Sequence, residues 1–262
     1  MPVDPSAYVA PTARVHPDAV IGPQCRIGEY CIIEQDVILG SHNVLEPYVY
    51  VKPYTTIGDR NEIGAHTVLG VLPLDKNFGG ERSYLVMGNG NRVREQNTLS
   101  RGTGEDSRTI IGDDLFLMTC CHIAHNCILG NSIIFASCSN ASGYCEIGDQ
   151  AYISACIGIH QFTRIGRNVM VGAVGRVNMD LPPYFLYNGH DVKPHGLNVV
   201  GLRRAGFTSS DIGAIKTAYR LLYRSGLKLE EALERIETEV PTPHTKHLVE
   251  FIRASKRGIR RE

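Results

Sequence analysis

Residues 111–177 read IGDDLFLMTCCHIAHNCILGNSIIFASCSNASGYCEIGDQAYISACIGIHQFTRIGRNVMVGAVGRV. Every sixth residue of this stretch is apolar: Ile111, Leu117, Ile123, Leu129, Phe135, Ala141, Ile147, Ile153, Ile159, Ile165, Val171 and Val177. Ala141 alone among them is small. The same phase runs upstream without interruption from Val3 to Leu69, and it returns at Met87, Val93 and Leu99. Neither the 3.6-residue period of a helix nor the 2-residue period of a half-buried strand gives this spacing. A short strand plus a corner does, with three such units closing one triangular coil and the apolar residue pointing inward on each side. Stacked coils then pair as parallel strands ~4.8 Å apart. Many of the inward residues are followed by glycine, among them Gly22, Gly40, Gly58, Gly112 and Gly130. A glycine there suits a corner or a close approach of two backbones. The predicted fold is mainly β, a parallel β-helix over residues 1–184.

Two stretches interrupt the repeat, near residues 71–86 (VLPLDKNFGGERSYLV) and 100–110 (SRGTGEDSRTI). Polar, glycine-rich loops on a regular scaffold are common carriers of function. The coil is expected to stop at Leu181-Pro182-Pro183-Tyr184, because proline cannot donate a ladder hydrogen bond. Residues 185–262 read as a C-terminal α-helical domain. Thr208 or Ser209 is placed to cap a helix with an apolar stripe of Ile212, Ile215, Tyr219 and Leu222, ended by Gly226. A second helix is expected near Leu229–Glu239 and a third from Pro243 to about Arg257. Lys256, Arg257, Arg260 and Arg261 read as a solvated end.

Composition narrows the function classes. The chain of 262 residues carries 27 Lys+Arg against 27 Asp+Glu, a formal net charge of zero. A protein that binds nucleic acid or an anionic membrane is usually basic. No run approaches the ~18–20 apolar residues of a membrane span. The N-terminus lacks a basic region followed by an apolar one, so no signal peptide is expected and the cytoplasm is the expected compartment. The eight cysteines contain no CxxC pair and read as buried free thiols. Cys25, Cys31, Cys121, Cys127 and Cys145 each lie four positions past an inward residue, where the coil needs a second, small inward side chain. Cys120, Cys138 and Cys156 are one coil apart.

His122-Ile123-Ala124-His125 is the strongest local chemical feature. Ile123 points inward, so its neighbours face outward. One coil after His125 comes Gly143, and one coil later Gln161. A histidine stacked on a glycine can hold a reacting carbonyl between them. The imidazole would take a proton and the glycine N–H would stabilise an oxyanion. The competing reading is a metal held by His122, His125 and His160. The 38-residue separation of His122 and His160 puts them on distant rungs, so no metal is expected.

The strings HIAHNC (122–127), GIHQF (158–162), LPPY (181–184), GLNVVGLRRAGF (196–207) and YRLLYRSG (219–226) resemble one family. They look like the acyl-carrier-protein-dependent UDP-N-acetylglucosamine 3-O-acyltransferases of the lipid A pathway, within the hexapeptide-repeat acyltransferases. The resemblance spans essentially the whole chain. It implies a left-handed coil, a hand that periodicity cannot supply. It also implies a homotrimer with sites between subunits, and a 3-hydroxyacyl donor on acyl carrier protein and its phosphopantetheine arm, with no other cofactor. By the same resemblance His125 corresponds to the general base and Gly143 to the oxyanion donor. His122 corresponds to a histidine near the acyl chain, and His160 and Gln161 to acyl- and nucleotide-contacting positions. Asp75 corresponds to a substrate-binding aspartate. Asn198 and Arg204 correspond to residues that hold the nucleotide, and Ala173 to the position that sets acyl length.

The chain departs from the family pattern at several of these points. Asn126 stands where the family has an aspartate behind the base, and Tyr144 where it has a histidine after the oxyanion glycine. Ser100, Leu74, Asn77, Val200 and Ala205 also differ, with Arg203 next to Arg204 as a partial substitute. The changes gather around sugar and nucleotide. They leave three readings of the chain: an O-acyltransferase, an N-acyltransferase acting on a 3-amino UDP-sugar, and a non-catalytic ligand-binding paralogue.

Overall fold

The structure, a computed structural model, describes residues 3–261. It is a left-handed parallel β-helix followed by a short helical region. Two- to five-residue strands stack into three sheets of eleven, nine and eight strands. The register is what the period requires. Phe116–Leu117 pairs with Ile134–Phe135, His122–Ile123 with Asn140–Ala141 and Ile128–Leu129 with Glu146–Ile147. The inward residues from Ile21 to Val177 form one continuous core, nearly all of them fully buried.

The corners explain the composition. In most corners a non-glycine residue sits in the left-handed region: Tyr48 at φ 65°, Cys120 at 58°, Asn126 at 59°, Tyr144 at 61° and Phe162 at 63°. This conformation costs about 1–2 kcal/mol for an L-residue. Most of these strained N–H groups are satisfied by a carbonyl one coil earlier: Tyr48 donates to Glu29 (2.9 Å), Tyr144 to His125 (3.0 Å) and Phe162 to Gly143 (3.0 Å). The glycines that follow the inward residues serve the other purpose, close approach. A Cβ on Gly22 would fall 2.4 Å from the Gly40 carbonyl oxygen, and one on Gly112 2.6 Å from that of Gly130.

Five cysteines, at 25, 31, 121, 127 and 145, point inward and are buried. Their thiols donate to carbonyls of the next coil, as Cys127 Sγ does to Ser142 O at 3.1 Å. The other three correct the expectation of burial: Cys120, Cys138 and Cys156 are exposed on one corner. All eight are free thiols.

The interruptions are narrower than the sequence suggests. Tyr84–Met87 and Arg108–Ile111 are already strands of the eight-stranded sheet, paired with each other. Their β pairing outweighs the polar character of the flanking loops. The line drawn at 184 falls just before Phe185–Asn188, which still pairs in parallel with Met170–Val171. Lys193–Leu197 then adds antiparallel and closes that sheet. Helix α1 (Val199–Arg204) follows, a short element without a periodic signature. Helix α2 (Ser209–Tyr223) starts with a capping box between Thr208 and Asp211. Helices α3 (Leu229–Glu239) and α4 (Pro243–Arg253) complete the cap. Among the described residues no helix is long and apolar enough to cross a membrane.

The end of the chain is docked rather than solvated. Arg257 Nη1 donates to Gln161 O at 3.1 Å and its Nε to Asn178 O at 3.1 Å. Arg261 grips the α2 terminus through Leu222 O. Each uses carbonyls left free at a corner or a helix end.

Candidate active site

His125, Gly143 and Gln161 occupy the corner where the nine-stranded sheet turns into the eight-stranded one. Stacking there follows from the 18-residue coil, so the column is a consequence of the fold. The imidazole of His125 lies directly over Gly143. A Cβ on that glycine would meet His125 Cε1 at 2.5 Å and Nε2 at 2.7 Å. This contact corrects one expectation: the ring rests on the glycine, leaving no room for a carbonyl between them. A carbonyl must come alongside the pair. Among the described residues the Gly143 N–H donates to no protein acceptor, so it stays available.

The tautomer of His125 follows from its neighbour. His125 Nδ1 lies 2.9 Å from Asn126 Oδ1. The Asn126 amide cannot be turned around, because Thr103 holds both of its ends. The Thr103 N–H donates to Asn126 Oδ1 at 2.8 Å, and Asn126 Nδ2 donates to Thr103 O at 3.2 Å. An oxygen facing Nδ1 requires a proton on Nδ1. The lone pair is then on Nε2, which among the described residues has no hydrogen-bond partner. The Asn126 backbone is itself pinned by Thr109 Oγ1, which accepts its N–H at 2.8 Å. The loop after Ser100 thus holds the histidine in a base-competent form.

Both interruptions contribute to this support. Gly104 N–H donates to Glu81 Oε1 at 2.8 Å, Ser83 Oγ to Gly102 O at 2.6 Å and Asp106 N–H to Arg82 O at 2.8 Å. Arg101, almost fully buried, lies over the rings of Tyr54 and Phe78 at 5.2 and 5.4 Å. Asp75 sits in the outer part of the first loop, where its Oδ1 accepts the Asn77 N–H at 2.9 Å.

The other predicted residues fall into two groups. His122 lies on the strand leading to His125, with Nδ1 2.7 Å from Thr98 Oγ1. Burial holds its pKa below the usual histidine range, with the nearby His125 adding to the effect. It is therefore neutral at pH 7. His160 is exposed two coils on, its Nδ1 3.1 Å from Gln161 O. No three His, Cys, Asp or Glu side chains among the described residues are placed to share a metal ion. Asn198 and Arg204 lie elsewhere, on α1 against the eleven-stranded sheet. They line a cavity of about 560 Å3 with Tyr152, Met170 and Val200. Asn198 Oδ1 caps α1 through Gly201 N, and its Nδ2 donates to Asn168 O. Ala173 is exposed at a third corner, beside the column of Cys120, Cys138 and Cys156.

Comparisons with known proteins place this geometry in a family. A curated acyl-[acyl-carrier-protein]–UDP-N-acetylglucosamine O-acyltransferase from Chlorobaculum tepidum is 49% identical over 196 residues, 74% of each chain. The chain belongs to the UDP-N-acetylglucosamine O-acyltransferase family. An enzyme of the same name from Gloeothece citriformis is 37% identical over 198 residues, 76% of this chain and 72% of that one. The crystal structure of the UDP-N-acetylglucosamine acyltransferase from Bacteroides fragilis superposes with a TM-score of 0.90 at 36% identity, covering 99% of this chain and 100% of that one. Residues 180–260 match the model described as UDP-N-acetylglucosamine O-acyltransferase, domain 2. Residues 1–103 match one described as the GMPPB C-terminal domain. The O-acyltransferase family membership thus agrees with the resemblance read from the motifs.

Sequence reasoning missed Thr103 and Thr109. They lie 23 and 17 residues from Asn126, and only the meeting of loop and coil brings them together. The periodic phase gives the coil position of each strand but not the path of an insertion.

Proposed function

We propose that the protein transfers a 3-hydroxyacyl group from acyl carrier protein to the 3-hydroxyl of UDP-N-acetylglucosamine, the first step of lipid A synthesis. The observation that carries this reading is the His125 imidazole seated over Gly143 with Nε2 free. Nε2 takes the proton of the sugar hydroxyl as its oxygen attacks the thioester carbonyl. The Gly143 N–H donates to the oxyanion of the tetrahedral intermediate. Collapse forms the ester, breaks the carbon–sulfur bond, and returns the proton from Nε2 to the departing thiolate. His122, neutral and half-buried, and His160 and Gln161 flank the reacting carbons. Asp75 contacts the sugar from the first loop.

Asn198 and Arg204 hold the nucleotide in this reading, and Arg204 suits a diphosphate through its planar fork. They line a cavity on a different face from His125, so a complete site needs a second copy of the chain. A cytoplasmic homotrimer with sites between subunits meets this need. No cofactor is required beyond the donor's phosphopantetheine arm.

Asn126 gives a second acceptor some standing. An amide cannot stabilise the imidazolium by charge, and a neutral 3-amino sugar asks less of the base than a hydroxyl does. One experiment decides between them. The purified protein is given 3-hydroxyacyl carrier protein with UDP-N-acetylglucosamine or its 3-amino analogue, and products are followed by mass spectrometry. Ester formation supports the proposal. Amide formation alone moves the acceptor to the amino sugar, and turnover of neither points to a non-catalytic paralogue.

A further inference from the structure

The corner between the eleven- and nine-stranded sheets carries a column of side chains that acyl transfer leaves unused. Its early coils hold Tyr30, Tyr48 and His66, and its later coils hold Cys120, Cys138 and Cys156. All six sit in the left-handed region, the cysteines at φ 58°, 62° and 59°, so one corner shape repeats from coil to coil. The rings show how side chains stand in this column. Tyr30 and Tyr48 stack with centroids 5.1 Å apart and planes 13° apart, and Tyr48 stacks on His66 at 4.8 Å and 8°. Side chains here project in parallel and keep the coil spacing of ~4.8 Å. The column next to the cysteines is in register as well, with Thr119 Oγ1 donating to Ser137 Oγ at 3.1 Å.

The three thiols are exposed, unlike the five that point into the core. Cys120 Sγ donates to Gln96 Oε1 at 3.2 Å. Among the described residues the Cys138 and Cys156 thiols make no hydrogen bond. Two uncommitted thiols therefore stand one coil apart. A disulfide between them needs Cβ atoms about 3.5–4.5 Å apart, closer than the ~4.8 Å coil spacing. Closing one would pinch coils that are held apart by their own ladder, where Cys138 N–H donates to Thr119 O at 3.0 Å and Cys156 N–H to Ser137 O at 3.1 Å. A metal ion between two thiolates has the opposite requirement. With a metal–sulfur bond of about 2.3 Å, a linear sulfur–metal–sulfur unit spans about 4.6 Å, which the column supplies without adjustment. Linear ligation by two thiolates belongs to soft closed-shell monovalent ions, and soft thiolates select Cu(I). Zinc asks for four ligands, and among the described residues no three His, Cys, Asp or Glu side chains are placed to share an ion.

We infer that Cys138 and Cys156 form a binding site for one soft monovalent metal ion of the Cu(I) class, held linearly between two thiolates. Each thiol loses its proton to solvent as the ion enters, and no electron is transferred. Cys138 is the indispensable ligand. It lies one coil from either neighbour, whereas Cys120 and Cys156 are two coils, ~9.6 Å, apart. Cys120 is the weaker partner, because its hydrogen bond to Gln96 must be given up. The site lies on a different corner from His125, Gly143 and Gln161, and it stands independently of the acyl-transfer reading.

The test is a titration of the reduced full chain, kept free of oxygen, with Cu(I) supplied as its acetonitrile complex against a chromogenic Cu(I) chelator. Wild type is expected to take up one ion per chain, and zinc is expected not to displace it. Cys138→Ser removes a ligand and is expected to lose at least ~100-fold in affinity, the upper end of what loss of a supporting group costs a metal site. Cys156→Ser is expected to lose about tenfold, as Cys120 takes its place at the expense of one hydrogen bond. Cys120→Ser is expected to bind as wild type does. The three side chains are exposed, and the thermal midpoint of each variant checks that the fold is retained. Equal affinity in wild type and Cys138→Ser overturns the assignment, as does uptake by wild type no greater than that of the variant with all three replaced by serine. Ready closure of a Cys138–Cys156 disulfide by glutathione disulfide, located by peptide mapping, would overturn the spacing on which the site rests.

Discussion

Asn126→Asp should move the acid limb of the pH–rate profile upward by about one to two pH units. The substitution keeps the oxygen that faces His125 Nδ1 at 2.9 Å and accepts the Thr103 N–H at 2.8 Å. It turns the donor that reaches Thr103 O at 3.2 Å into a second oxygen. One hydrogen bond is lost to repulsion, at about 1–2 kcal/mol of stability. In exchange a negative charge appears ~4 Å from the imidazolium formed during the reaction, worth about 4 kcal/mol at an effective dielectric of ~20. Desolvation of the new carboxylate offsets part of that. An opposite charge at this range raises a histidine pKa by roughly one to three units, and the edge of a solvent-filled groove calls for the lower part of that range. The sign is set by the base form. A raised pKa keeps the imidazole protonated to higher pH, so activity is lost earlier as pH falls. Above that limb the stronger base should raise kcat. The assay is kcat/KM for the acyl donor between pH 5 and 9, on wild type and variant. An unmoved limb, or one displaced to lower pH, would show that Asn126 does not govern His125.

Three other outcomes follow from the same geometry. Gly143→Ala places a methyl group 2.5 Å from His125 Cε1, so the ring must swing off Asn126; kcat should fall at least ~100-fold with the circular dichroism spectrum retained, and wild-type turnover would refute the contact. Burial depresses the pKa of both His122 and His247. The unfolded chain therefore binds more protons than the folded one below the ordinary histidine value of about 6.5. The thermal midpoint should fall from pH 7 to pH 5, and His122→Gln should flatten part of that slope; an identical slope in the variant would remove His122 from the account. Ala173→Met should shift preference toward shorter acyl groups among C10 to C16 3-hydroxyacyl donors, and an unchanged preference would take Ala173 out of the length-setting role.

The coil was readable because its physics is local and repeated. An inward apolar residue every sixth position leaves one closure that buries them all, and the phase survives both interruptions. It even sorted the cysteines: those four positions past an inward residue are buried. The period could not say how the corners are made. They use left-handed Tyr, Asn and Cys residues held by the previous coil, with glycine kept for backbone contact at sites such as Gly22 and Gly112. The His125–Gly143 pairing was legible from the 18-residue spacing alone. Its support was not, because Thr103 reaches Asn126 through an insertion whose path no period encodes. The tail misled for a similar reason. Arg257 looks like a solvated charge in sequence, and only the carbonyls of Gln161 and Asn178 give it a place.

The central claim is that His125 is the base of an acyl transfer. Its most direct test is kcat/KM of His125→Ala with 3-hydroxyacyl carrier protein and UDP-N-acetylglucosamine, measured on protein shown to be folded. A loss of at least ~100-fold against wild type is expected. A folded variant that turns over within a fewfold of wild type would contradict it.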